Sequence, residues 1–167
     1  MTNQTATLRR LGIVLAITAS FAFSGCAAKP KKTDNPVPEA NSADENTNGD
    51  SDSGKAMGLQ TIHFPYDSFT LDGDAKSTLK ANADILKDHA DVKIQVEGHC
   101  DQRGGIQYNI ALGEKRANGV KKYLQDLGVS SKRITTISFG KERPVDPSET
   151  EEAYSKNRRA NFAITSR

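Results

Sequence analysis

Apolar positions give the chain three textures. From Leu11 to Phe23 they are nearly continuous, interrupted by Gly, Thr and Ser alone; between Ala28 and Ala56 the single sizeable aliphatic side chain is Val37. Beyond residue 57 two rhythms alternate. Leu59 to Phe64 has the alternation of a strand, ended by Pro65-Tyr66-Asp67-Ser68. Ala75, Leu79, Ala83 and Leu86 then recur at helical spacing, behind Asp72 and Asp74, acids that the helix dipole favours at its start. Val92, Ile94 and Val96 alternate with Lys93, Gln95 and Glu97, a half-buried strand running into Gly98.

A second helix is expected from about Gln107 or Tyr108 to Leu127, with Gly128 at its C-terminal cap. Its core face holds Ala117, Val120, Leu124 and Leu127. At about 100° per residue Asn109 and Arg116 fall on that same face, and an arginine there needs a physical reason. Arg133 to Phe139 reads as a third strand turned by Gly140, Glu149 to Tyr154 as a short helix, and Asn161 to Thr165 as a short last strand. The order is β-α-β-α-β-(α)-β, and the fold class is α/β (α+β): a two-layer sandwich with a small mixed sheet and two long helices on one face.

The other two textures set the domain organisation of the 167 residues. Arg9 and Arg10 precede the apolar run and Ser24-Gly25-Cys26 follow it, the three parts of an export signal over residues 1–25, too short in its apolar run for a permanent membrane span. Residues 26–57, rich in Lys, Pro, Asn, Asp, Ser and Gly, cannot bury enough apolar surface to offset their ordering entropy and read as a disordered tether. A tether of that length would measure on the order of 30 Å relaxed and roughly 100 Å extended. The folded domain is then residues 58–167.

Charge removes one class of partner. The formal net charge is +2, from 23 basic and 21 acidic residues, and Arg9 and Arg10 would leave with the signal. The remainder is balanced, without the electrostatic footprint of a nucleic-acid binder.

The densest chemistry lies in Gly98-His99-Cys100-Asp101-Gln102-Arg103-Gly104-Gly105, at the junction of strand and helix. A fixed Asp with a fixed Arg suits a ligand carrying both an ammonium and a carboxylate. Alternatively, Arg116 serves structure, tying helix to strand through an ion pair with Asp101 or Glu97, a pair that ligand could later divide. Adjacent residues of a strand point to opposite faces, so His99 and Cys100 do not form a nucleophile and base; a buried inert thiol is the better reading of Cys100. His63, His89 and His99 lack the spacing of a metal site and read as surface or loop histidines. Asn157-Arg158-Arg159 reads as a solvated basic edge that blocks strand pairing, with no part in ligand binding.

Two stretches carry a family resemblance. Phe23-Ser24-Gly25-Cys26 resembles the lipobox of bacterial lipoproteins, which implies cleavage before Cys26 and acylation of its sulfur and amino group. Several acyl chains anchor firmly where one is marginal, each buried methylene contributing roughly 0.8 kcal/mol. With Ala27 rather than Asp after the cysteine, the resemblance implies the inner leaflet of the outer membrane, with the domain facing the periplasm.

Glu97-Gly98-His99, Asp101, Arg103-Gly104, Tyr108 to Glu114, Arg116-Ala117, Tyr123-Leu124, Ser138 to Pro144 and Tyr154 to Ala160 together resemble the OmpA-like C-terminal domain family, at its peptidoglycan-associated lipoprotein (Pal) branch. The resemblance implies noncovalent binding of peptidoglycan through the diaminopimelate of its stem peptide, with no cofactor and no catalysis. Asp101 would accept from the ammonium and Arg116 would grip the carboxylate through its planar fork. Phe64, Tyr66 and Asp67 match the loop that lines the family's pocket; Asn109 and Leu112 would complete its wall, with Arg103 reaching a further carboxylate. It also implies partnership with the Tol system, the periplasmic protein TolB first, in envelope integrity and cell division. The rival reading, a lipoprotein cell-wall hydrolase, lacks a convincing acid/base pair or metal triad in this sequence.

Overall fold

A computed structural model describes residues 49–167. The export signal, the Cys26 lipidation site and the tether as far as residue 48 lie outside the described residues.

The elements run β1 (Ile62–His63), α1 (Gly73–Asp88), β2 (Lys93–His99), α2 (Ile106–Asp126), a 3-10 turn (Ser131–Arg133), β3 (Ile134–Gly140), α3 (Glu151–Asn157) and β4 (Arg159–Ser166). Asp72 starts α1 by accepting the Ala75 N–H at 2.8 Å, and Thr150 starts α3 by accepting from Ala153. Gly128, at a φ of +96°, turns the chain out of α2.

The sheet is mixed, in the order β1-β4-β2-β3. β4 runs antiparallel to both β1 and β2, while β3 runs parallel to β2. One core joins Leu79, Ala83 and Leu86 of α1 and Ala117, Val120 and Leu124 of α2 to Ile94, Val96, Ile134, Phe162 and Ile164 of the sheet. The expected fold class holds.

Two expectations change. The first strand shrinks from six residues to the pair Ile62–His63, while the last grows to eight and lies inside the sheet. Arg158 and Arg159 are therefore not a solvated edge: they are 7% and 4% exposed.

The domain also begins earlier than residue 58. Asp50 bridges to Ala163, Ser51 N–H donates to the Phe162 carbonyl at 3.0 Å, and Ala56 is fully buried. Asp52 pairs with Arg159 at 2.7 Å, and Ser51 Oγ donates to Asn161 at 2.7 Å. Polar side chains hold this strap, which is why a search for apolar positions passes over it.

Candidate ligand-binding pocket

The pocket forms where β2 gives way to α2. A bulge at Gly98/His99 shifts the register with β3, and the Cys100 N–H then donates to the Gly140 carbonyl at 2.7 Å. Asp101 Oδ1 accepts the Arg103 N–H at 3.1 Å, a turn of its own making. Gly104, at a φ of +83°, bends the loop back into α2. Lys141 fastens this loop from below, donating to the carbonyls of Gln102 at 3.3 Å and Gly104 at 2.8 Å.

Opposite stands the loop after β1. Asp67 has a φ of +51°, in the left-handed region that Asp tolerates better than most residues, and its carboxylate accepts from the Tyr108 hydroxyl.

Between these walls lies a cavity of about 310 Å³. Asp101, Arg103, Asn109, Leu112, Arg116, Tyr66 and Asp67 all line it. Phe64 stands behind, its ring centre 5.0 Å from the Arg116 guanidinium carbon. The sequence-derived site residues of the folded domain thus meet at one place.

Their bonding differs from expectation at the centre. Arg116 is 1% exposed, yet it pairs with neither Asp101 nor Glu97. Its Nε donates to the Ser68 carbonyl at 2.8 Å, Nη1 to that of His99 at 2.7 Å and Nη2 to that of Pro65 at 3.3 Å. Three of five N–H groups are thereby taken by neutral acceptors; of the others, one reaches the weak acceptor Cys100 Sγ at 3.5 Å. Burial pulls its pKa down from the guanidinium range, but the group stays charged at neutral pH.

Asp101 turns to two other arginines. Arg103 Nη2 lies 2.6 Å and Arg158 Nη1 3.3 Å from Oδ2, while Arg103 Nε donates to Oδ1 at 3.3 Å. Burial pushes the Asp101 carboxyl up, but the hydrogen bonds from Arg103 and Arg158 outweigh it and hold the pKa below the usual value. Glu151 completes a ring, 3.3 Å from Arg103 and 2.9 Å from Arg158.

Sequence reasoning missed Arg158, Tyr108 and Cys100 in the lining and Glu151 behind it. The signal for Arg158 was the strand that follows it: Ala160, Phe162 and Ile164 are all core, so a residue entering that strand is drawn inward. Cys100 is buried, its thiol donating to the Asn109 carbonyl at 3.3 Å, and burial pushes its pKa up. His99 is not a surface histidine. It is 1% exposed, stacks on Phe139 at 5.5 Å and places Nε2 3.5 Å from Glu97. His63 and His89 are exposed.

A profile described as the OmpA family matches residues 63–158. The chain is 40% identical to a peptidoglycan-associated lipoprotein of Mesorhizobium japonicum, the match covering 93% of this chain and 92% of that protein. A protein of the same name from Pasteurella multocida is 35% identical over 93% of this chain and 99% of its own length. Among solved structures, the peptidoglycan-associated lipoprotein of Burkholderia pseudomallei superposes with a TM-score of 0.61 at 35% identity, over 63% of this chain and 89% of that one.

Proposed function

Because this chain belongs to the OmpA family, alongside the peptidoglycan-associated lipoproteins, we propose that it binds peptidoglycan noncovalently through the diaminopimelate of the stem peptide. Arg116 is the observation that carries the reading. A guanidinium shut away from water, bonded to carbonyls and unpaired with any carboxylate among the described residues, is suited to an anion. The N–H groups it has not committed to carbonyls suit a carboxylate, whose two oxygens match a guanidinium fork.

The ammonium of the same ligand carbon goes to Asp101, across the cavity. Asn109 and Leu112 form the wall along the ligand's methylenes, Phe64, Tyr66 and Asp67 form the facing loop, and Arg103 closes the mouth. The role is attachment rather than catalysis.

In the cell this makes a tie between outer membrane and cell wall: acyl chains on Cys26 at one end, the pocket at the other, with the residues before the strap as spacer. Family membership also supports partnership with the Tol system, TolB first, with a part in envelope integrity and cell division.

Calorimetric titration of the full-length chain with diaminopimelate-containing stem peptide and with its lysine counterpart tests the reading. Binding of the first should exceed that of the second, and both Asp101→Ala and Arg116→Ala should abolish capture by isolated sacculi while the circular dichroism spectrum is kept. Equal binding of the two peptides would refute carboxylate recognition by Arg116.

A further inference from the structure

Asp101 cannot receive an ammonium in the arrangement just described. A carboxylate offers about four acceptor positions. All four are engaged, by the Arg103 N–H, Nε and Nη2 and by Arg158 Nη1. A cationic ligand therefore has to displace one of two arginines.

The two are unequally held. Arg158 has a side chain 9% exposed, and its Nε is fixed to the Phe64 carbonyl at 3.1 Å. Arg103 is 34% exposed and lies between two aromatic rings, its guanidinium carbon 4.1 Å from the centre of Tyr66 and 4.4 Å from that of Tyr154. Faces on both sides let a planar cation slide while its contacts with the rings persist. Its Nη1 already stands 3.3 Å from Glu151 Oε2.

We propose, on the footing of diaminopimelate binding, that Arg103 is an internal stand-in for the ligand's ammonium, displaced from Asp101 on binding, and that Glu151 is a positioning residue that holds it once displaced. The exchange swaps one cation for another on the same carboxylate, so no uncompensated charge is created in a poorly solvated place. It also discriminates: a ligand without an ammonium leaves Arg103 seated. Under this scheme Arg103 is a competitor of the ligand rather than the grip on a further carboxylate expected from sequence.

The two roles predict opposite signs. The test is calorimetric titration of the full-length chain with a stem peptide ending in diaminopimelate and with the same peptide lacking the side-chain amino group. Arg103→Gln should strengthen binding of the first by about threefold to fivefold, the scale of one partly exposed ion pair, and leave the second unstrengthened. Glu151→Gln should weaken binding of the diaminopimelate peptide by a similar factor in the natural chain and by clearly less in the Arg103→Gln background, where only its pairing with Arg158 is lost. Weaker binding of the diaminopimelate peptide by Arg103→Gln, or equal effects of Glu151→Gln in both backgrounds, would overturn the stand-in role while leaving the ligand assignment intact. Failure of the natural chain to bind the diaminopimelate peptide at all would overturn both.

Discussion

His99 is a buried side chain with an unfinished hydrogen-bond inventory. Among the described residues neither ring nitrogen finds a partner of good geometry, Glu97 Oε2 standing at the edge of reach at 3.5 Å. Burial pulls its pKa below the usual 6.5, opposed in part by Glu97. As pH falls, the unfolded chain therefore takes up this proton before the folded one does. Stability from this source is complete above about 6.5 and is lost as pH drops toward the lower folded-state value. Thermal melts between about pH 7 and pH 5 should show a falling Tm, and His99→Gln should flatten that slope. An unchanged slope would mean that other groups set it. Asp101 acts later and in the same direction: its lowered pKa contributes stability that is lost only as pH falls below about 4 through the folded-state value.

At the scale of elements, α2 lies so close to the sheet that two glycines meet. A Cβ on Gly98 would overlap the Gly113 carbonyl, and one on Gly113 would strike Ser138 Oγ. Gly113→Ala should therefore push the helix outward and cost about 1–3 kcal/mol, measured by denaturant unfolding. Since Asn109 and Arg116 ride on that helix, stem-peptide affinity should fall with it. The N-cap of α1 is a milder case, and Asp72→Ala should cost about 1 kcal/mol. The long elements were readable because their apolar spacing is regular: Leu79, Ala83 and Leu86, or Val92, Ile94 and Val96, need no tertiary information. Arg116 was readable for the same reason, as a polar break in an apolar stripe. Arg158 was less so: the alternation of Ala160, Phe162 and Ile164 points it inward, but its burial depends on β4 pairing between β1 and β2, and strand order leaves no local trace. The alternative of a direct Arg116 ion pair with Asp101 or Glu97 fails because the carbonyls of Pro65, Ser68 and His99 reach the arginine first, and backbone acceptors are invisible in side-chain chemistry.

For the molecule as a whole, the strap of residues 49–57 decides where an independent domain can start. Cutting at residue 58 would remove Ala56 from the core and strip Asp52 from Arg159, a cation 4% exposed in the intact domain. A chain from 58 should melt several degrees below one from 49, and Asp52→Ala should reproduce part of the loss. Equal Tm values would show the strap to be dispensable. The sheet has a further property, set by the order in which residues are synthesised. Of the four strands Arg159–Ser166 is made after the other three, and until it is available β1 has nothing to pair with and β2 lacks one neighbour. A nascent chain whose residues 159–166 are still inside the ribosome has all three helices of the described residues translated but a sheet that cannot close. Ribosome-stalled chains should become protease-resistant only when the stall site lies far enough downstream to free Ser166 from the tunnel. Until that moment the polypeptide stays an open, threadable chain.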